Sequence, residues 1–167
     1  MKYVFLIIVT IVFSLSASSF VNKQQPRGKK TTEALNASIA RGEKVYKGTC
    51  IACHQAKGQG VDRMNPPLIK TKWVLGDKKA LARIVLFGLK GGEIIIDGDD
   101  FHNPMPAQGE QFTDLQIADV LTYIRNSFGN KAGAVTTADV KIARATPAGA
   151  AAKTPASKTP AKKNVKH

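Results

Sequence analysis

The 167-residue sequence has few of the residues that usually hold metals or form disulfides, with only two cysteines and three histidines. A structural zinc site needs about four such ligands, and no second cysteine pair exists to complete one. Both cysteines and one histidine lie in the stretch Cys50-Ile51-Ala52-Cys53-His54. No βαβ pattern surrounds this stretch, which disfavours a dithiol of the thioredoxin type. The candidate chemistry is therefore concentrated in one short segment.

Acidic residues are also scarce, and the formal net charge is +13. The excess lies at the two ends of the chain, since residues 1–32 have five Lys or Arg and no acid, and residues 131–167 have eight against one. Residues 33–130 have twelve against eleven and are close to neutral. A basic face on this central part is not expected, and we predict no nucleic-acid partner.

Long apolar runs are absent apart from the N-terminus, where a lysine precedes a mostly apolar run over residues 3–13 and a small-residue stretch. This order predicts a secretory signal peptide over residues 1–19, cleaved near Phe20, and hence export to the periplasm. The run is shorter than the ~20 apolar residues that span a bilayer, although an uncleaved membrane anchor stays a second interpretation. Residues 20–33 are polar and basic and predict a flexible linker.

The Cys50–His54 stretch has the spacing that covalent haem attachment needs. Two thiols three positions apart lie on one helical turn, where each can add to a vinyl group on the same porphyrin edge. The adjacent histidine can then reach the iron. The stretch therefore predicts a haem c bound through Cys50 and Cys53, with His54 as proximal ligand. Export fits this use, because an oxidising compartment would otherwise join the two thiols in a disulfide.

Hydrophobic periodicity predicts three main helices. The first begins at Asn36 or Ser38 and leads into Cys50, the second follows Asp77 as its N-cap and stops at Gly91-Gly92, and the third starts with the capping box Thr113-x-x-Gln116 and ends at Gly129. Residues 57–67 contain two glycines and two prolines and predict a loop.

Two shorter elements are also predicted. The β-branched run Glu93–Gly98 indicates a short strand and a turn. Its acidic residues favour the turn over a calcium site, because the twelve-residue loop with its closing glutamate is missing. A short helix over Ala138–Ala143 follows Thr137 as its cap.

The C-terminal segment 146–167 consists almost only of Ala, Pro, Lys, Thr and Gly, with five lysines and no acid. This composition is too poor in large apolar groups to fold and predicts a disordered tail. We interpret the tail as an electrostatic contact to an acidic partner or membrane surface. A solvated spacer without a target is the other interpretation.

Several motifs follow one another in a recognisable order. They are Gly42 with Tyr46, Cys50–His54, Pro66-Pro67-Leu68, Asn103-Pro104-Met105-Pro106 and Tyr123. Over about residues 36–130 the sequence resembles the class I c-type cytochromes, of the monohaem bacterial periplasmic type. The resemblance implies an all-α class I cytochrome c fold, with three main helices around one covalent haem and a short β-hairpin-like segment before the distal loop. We place the cytochrome c domain at 34–130 and a short helical extension at 131–145.

The resemblance also implies roles for single residues. It implies thioether links at Cys50 and Cys53, axial ligation by His54 and Met105, and a proline carbonyl, of Pro66 or else Pro67, that holds the His54 ring.

Two further residues leave alternatives open, and a third is disfavoured. Trp73, the only tryptophan, either donates its N–H to a haem propionate or packs as core. His102 is the rival sixth ligand, three residues before Met105. Met64 lies too few residues after the proximal histidine to reach the opposite face comfortably.

The implied function is one-electron transfer, and the protein is not expected to be an enzyme. An apolar cleft and a neutral thioether ligand disfavour the charged ferric form and raise the reduction potential. The expected partners are redox proteins, a dehydrogenase or respiratory donor and an oxidase or reductase. A haem enzyme or gas sensor is a second interpretation, and it requires that Met105 not bind the iron. A structural or adhesive protein that works through its basic tail is a third.

Overall fold

Helices make up most of the chain that the structure, a computed structural model, describes, namely residues 27–89 and 94–146. The helices are α1 Arg27–Val45, a π-helical turn Tyr46–Cys50, α2 Ile51–His54, α3 Lys72–Leu75, α4 Lys78–Phe87, α5 Asp114–Asn126 and α6 Thr137–Ala145, and the strands are β1 Ile94–Ile96 and β2 Asp99–Phe101. The chain divides into two units, residues 1–31 and 32–167. The first unit is described only at the start of α1, and the remaining elements belong to the second.

The N-terminal part of the chain differs from the prediction where it is described. Helix α1 begins at Arg27, so residues 27–33 are helical where a flexible linker was predicted, and the helix starts well before Asn36 or Ser38. The reason lies in composition, because no proline occurs between Pro26 and the end of α1, and the first turns contain lysine, glutamate, alanine and leucine, which are good helix formers. The predicted signal peptide 1–19 lies outside the described residues. None of the described helices is long and apolar enough to cross a membrane.

Helix α4 begins as predicted but ends early. Asp77 Oδ1 accepts a hydrogen bond from the Ala80 N–H at 2.7 Å, which confirms the N-cap. The helix ends at Phe87 and not at Gly91-Gly92, because Gly88 turns the chain with a φ of 72°. A Cβ at Gly88 would overlap the Met105 carbonyl oxygen, so a neighbouring backbone segment occupies the place of a further turn.

Helix α5 has the predicted capping box. The Gln116 N–H donates to Thr113 Oγ1 at 3.3 Å, and the Thr113 N–H donates to Gln116 Oε1 at 3.0 Å. Its apolar stripe, Ile117, Leu121 and Ile124, is buried. The helix ends at Asn126, so Phe128, which was predicted to extend the stripe, lies beyond it.

A hairpin follows the undescribed residues 90–93, in agreement with the predicted strand and turn. Strands β1 and β2 pair antiparallel, with Ile94 opposite Phe101, and Asp97-Gly98 forms the turn. Both turn residues have positive φ, 55° and 106°, the conformation that two-residue hairpin loops require. The fold is thus helical with one small two-stranded sheet.

The C-terminal extension is a helix, α6, which is longer than predicted and capped one residue earlier. Thr136, not Thr137, is its N-cap, in a second capping box with Asp139. Thr122 of α5 anchors the preceding loop, since its Oγ1 accepts from the Val135 N–H at 3.0 Å and donates to the Val135 carbonyl at 3.2 Å. Helix α6 then packs against α4 and α5. Most of the predicted tail lies outside the described residues.

Helices α1 and α5 cross at Gly42. A Cβ at this position would overlap the Asp119 carbonyl oxygen and come within 2.8 Å of Tyr123 Cβ. The crossing is reinforced by polar contacts, because the buried Asp119 carboxylate accepts from Ser38 Oγ at 2.6 Å and from Arg41 Nε at 2.6 Å. Only glycine allows two helix backbones to come this close.

We expect Gly42→Ala to lower the free energy of unfolding by roughly 1–3 kcal/mol, the range for overpacking a tight contact. The added methyl group has to push α1 away from the backbone of α5. Gly48→Ala is the matched control, because nothing lies within 4 Å of a Cβ there. Guanidinium unfolding followed by circular dichroism gives both values. Equal stability of the two variants would contradict the close packing at Gly42.

Candidate functional site

The second unit contains a cavity lined by residues of α1, the π-helical turn, α2 to α5, the hairpin and the intervening loops. Its walls are almost wholly apolar, and among the described residues no Asp, Glu, Lys or Arg lines it. The structure brings every residue predicted for the site to this cavity: Cys50, Cys53, His54, Pro66, Pro67, Trp73 and Met105.

The two cysteines lie on a continuous helical stretch. Cys50 ends the π-helical turn and Cys53 belongs to α2, and both are free thiols. Burial, with a smaller contribution from Cys53, raises the pKa of the Cys50 thiol to about 11. A thiol with a raised pKa is little ionised and exchanges disulfides slowly. Cys50 therefore lacks the lowered pKa that activates the attacking thiol of a redox dithiol.

The ring of His54 is held in one orientation. Its Nδ1 lies 2.9 Å from the Pro66 carbonyl oxygen, and because a carbonyl only accepts, Nδ1 carries the proton. Burial lowers the pKa of His54, and the bond to Pro66 opposes that shift only in part. The neutral ring then has an unprotonated Nε2, which is the form that binds metals. Of the two prolines, the structure places Pro66 at this contact.

The loop after α2 brings Pro66 back to His54. Gln55 adopts a φ of 64°, which ends α2 and reverses the chain. The Gly60 N–H then donates to the His54 carbonyl at 3.0 Å, and the Leu68 N–H donates to the Gly58 carbonyl at 2.7 Å. The hydroxyl of the buried Tyr46 donates to the Gln55 carbonyl at 2.7 Å. These bonds fix both partners of the histidine contact.

Met105 reaches the cavity from a segment far along the chain. It forms an isolated antiparallel bridge with Leu89, with reciprocal backbone hydrogen bonds of 2.9 and 3.1 Å. The rival His102 is exposed and does not line the cavity, and Met64, 50% exposed, does not line it either. Of the three candidates for the distal position, only Met105 is placed to serve.

Trp73 lies on α3, a short helix that was not predicted from the sequence. Thr71 caps it by accepting from the Val74 N–H at 3.2 Å, and Gly76 follows its end, so a cap-and-glycine pattern was the available signal. The indole packs against the cluster of Ile94, Ile96 and Phe101 while lining the cavity.

The buried Arg125 binds the C-terminal end of α3, and this role was also not predicted from the sequence. Its Nη1 donates to the Val74 carbonyl at 2.5 Å and the Gly76 carbonyl at 3.1 Å, and its Nε donates to the Gly133 carbonyl at 2.9 Å. Desolvation lowers the pKa of the guanidinium, which stays charged in any ordinary buffer. A lone arginine in a helical pattern gives no sequence signal for such a role.

Three amides add polar groups to the lining. Asn103 Nδ2 donates to Asn65 Oδ1 at 3.2 Å, which joins the distal segment to the proximal loop. Gln108 Oε1 is buried and has no hydrogen-bond partner among the described residues. A buried acceptor without a partner is costly, so it indicates that a group or water belongs in the cavity.

The donor set and the walls fit a haem. Two neighbouring thiols provide attachment, His54 provides a neutral imidazole, Met105 provides a thioether on a different segment, and apolar side chains provide surface for the macrocycle. The described residues contain no group of three or more His, Cys, Asp or Glu that could hold a metal ion.

Comparison with known proteins supports the same cofactor. Residues 39–128 match the cytochrome c family. The chain is 34% identical over 121 residues to the cytochrome c subunit of the quinone alcohol dehydrogenase of Gluconobacter oxydans, covering 70% of this chain and 25% of that protein. It is 38% identical over 104 residues to the gluconate 2-dehydrogenase cytochrome c subunit of Pantoea cypripedii, covering 58% of this chain and 22% of that protein. It is 37% identical over 95 residues to cytochrome c6 of Thermosynechococcus vestitus, covering 56% and 74%.

The chain therefore spans about a quarter of the length of the dehydrogenase subunits it matches. The family match covers more than half of the 167 residues and includes the cysteine pair, His54 and Met105. The chain belongs to the cytochrome c family, whose members bind haem c covalently and transfer electrons.

Proposed function

We propose that this protein is an exported monohaem electron carrier with haem attached at Cys50 and Cys53 and with His54 and Met105 as axial ligands. The observation that carries the proposal is the uncharged cavity to which all four residues contribute. The spacing of the thiols, the orientation of the histidine and the placement of the methionine support it together. Pro66 acts as the acceptor that fixes the proximal ring.

Haem supplies one-electron chemistry when bound, because its iron alternates between Fe(III) and Fe(II). The chain determines how easily the electron is taken up. His54 is held neutral with Nε2 available, and the Met105 thioether adds no charge. The uncharged walls provide no counter-charge for the ferric state. The surroundings thus favour Fe(II) and raise the reduction potential.

Electron transfer is preferred over catalysis at the iron because Met105 is held in the cavity by its bridge to Leu89. A haem enzyme or gas sensor needs an open sixth position. The cytochrome c domain is typical of carriers, although some relatives are subunits of dehydrogenases.

The relatives also suggest partners. Two are named as cytochrome subunits of dehydrogenases, and a further relative, 29% identical, is named as a subunit of a cbb3-type cytochrome c oxidase. We therefore infer a periplasmic dehydrogenase or respiratory donor and an oxidase or reductase as acceptor. The predicted signal peptide supports the periplasmic location.

The tryptophan offers a direct test that haem occupies this cavity. Trp73 is the only tryptophan and lines the cavity, so haem should quench its emission in the folded holoprotein. We expect fluorescence to rise several-fold on unfolding in guanidinium, with Trp73→Phe giving the tyrosine background. Equal emission from folded and unfolded protein would contradict this placement of the haem.

The axial ligand is tested by paired substitutions. We expect Met105→Ala to remove the weak near-infrared charge-transfer band of the ferric protein and to lower the reduction potential by on the order of 0.1 V or more, within the roughly 0.8 V range that axial ligands set. His102→Ala is the control and should change neither. Loss of the band in His102→Ala with its survival in Met105→Ala would assign the sixth position to His102.

The basic tail gives a separate prediction, and we propose that it binds an acidic partner or membrane surface. In extended form its 22 residues reach about 65 Å at ~3 Å per residue. A truncation ending at Ala145 should lose partner-reduction rate at low ionic strength, and salt should erase the difference. Equal rates at low salt would make the tail a spacer. The absorption spectrum should be the same in both forms.

A further inference from the structure

Met105 belongs to a stretch without regular secondary structure, residues 102–112, called here the distal segment. Its backbone is tied to the end of α4. The Gln108 N–H donates to the Val85 carbonyl at 2.9 Å and the Gly109 N–H donates to the Leu86 carbonyl at 3.0 Å. Carbonyls in the last turn of a helix have no partner within the helix. The distal segment therefore completes the hydrogen bonding of α4.

Arg144 of α6 holds the same segment from the other side. Its Nη1 donates to the Gly109 carbonyl at 2.8 Å, and its Nε donates to Asp114 Oδ1 at 2.9 Å. The Arg144 side chain is 38% exposed and that of Asp114 is 22% exposed, so solvent weakens the ion pair. The two hydrogen bonds that the planar guanidinium donates therefore hold the distal segment more than its charge does.

Helix α6 is in turn fixed to α4. Arg83 of α4 donates through Nη1 to the Ala143 carbonyl at 2.9 Å and also to the Thr146 carbonyl, both at the C-terminal end of α6. The distal segment therefore contacts both α4 and Arg144 of α6, and Arg83 links α6 back to α4. Loss of Arg144 would remove the contact between α6 and the distal segment, while the contacts of α4 with the distal segment and with α6 would remain.

From this geometry we infer that Arg144 is a positioning residue for the distal methionine. It keeps the distal segment against α4, and so limits how often the Met105 thioether leaves the iron. The inference rests on the proposed ligation by Met105. A thioether is a soft ligand and binds hard ferric iron weakly, so its retention depends on how firmly the protein holds it.

The test measures how easily an added ligand replaces the methionine. Imidazole is titrated into the ferric holoprotein and followed by absorption. Its apparent dissociation constant varies inversely with the fraction of molecules in which the distal segment is open. We expect Arg144→Gln to bind imidazole roughly threefold to tenfold more tightly, the effect of losing one or two hydrogen bonds. Lys141→Gln, an equal loss of charge at an exposed position of α6, is the matched control and should keep the wild-type affinity.

A second variant perturbs the same contact without changing charge. A Cβ at Gly109 would lie 2.7 Å from the Leu86 carbonyl oxygen and 3.2 Å from Arg144 Nη1. Gly109→Ala should therefore lift the distal segment and also tighten imidazole binding. Far-ultraviolet circular dichroism at the titration temperature checks that each variant is folded.

Unchanged imidazole affinity in Arg144→Gln overturns the inference, even where the unfolding free energy falls, because a purely structural role predicts that result. An equal gain in Lys141→Gln also overturns it and assigns the effect to net charge. Failure of the proposed function is distinguishable from both, since the wild-type ferric protein would then lack the near-infrared band before any variant is made.

Discussion

The rest of the structure depends on one constraint, which is the uncharged lining that the described residues form around the cavity. Val74, Leu81, Val120 and Leu121 belong to the buried core and also line the cavity, so the elements that carry them pack around this space. A small domain buries a limited fraction of its surface and is marginal without added apolar contact. Bound haem supplies that contact. Folding and cofactor binding are therefore coupled, because the same side chains serve both.

The two sides of the cavity are held by different means. On the proximal side, His54 and its acceptor Pro66 are twelve residues apart, and one loop positions both. On the distal side, Met105 is far from His54 in sequence and depends on backbone bonds to Leu89, Val85 and Leu86. Local geometry thus fixes the proposed proximal ligand, whereas tertiary packing fixes the proposed distal one. We therefore expect substitutions remote from the cavity to affect the distal side more than the proximal side.

Sequence patterns predicted the parts of the fold that local chemistry decides. The capping box of α5, the Asp77 cap of α4 and the hairpin at Asp97-Gly98 each follow from side chains within a few residues. The predicted helix ends that depend on tertiary contacts were wrong. Helix α4 ends at Phe87 because a distant backbone lies against Gly88, and no periodicity in α4 encodes that.

The residues of the candidate site also divide into those that a sequence motif predicts and those that depend on tertiary structure. The cysteine pair and His54 form one motif, and the resemblance to class I cytochromes extended it to Met105 and Pro66. The surrounding polar groups were not predictable. Arg125 binds three backbone carbonyls that lie 8 to 51 residues away. The fold of the distal segment leaves Gln108 Oε1 without a partner among the residues that the structure describes. Such roles depend on three-dimensional placement and leave no spacing rule in the chain.

The C-terminal extension is an integral part of the folded unit, although the family match ends at residue 128. Val140 and Ala143 of α6 are 0% and 1% exposed. Burying a valine side chain contributes about 1.5–3 kcal/mol, a large share of the roughly 5–15 kcal/mol that separates folded from unfolded domains. The same helix carries Arg144, which contacts the segment of the distal methionine. Helix α6 therefore contributes to stability and, under the proposed ligation, to the retention of Met105, and a change that loosens α6 is expected to affect both.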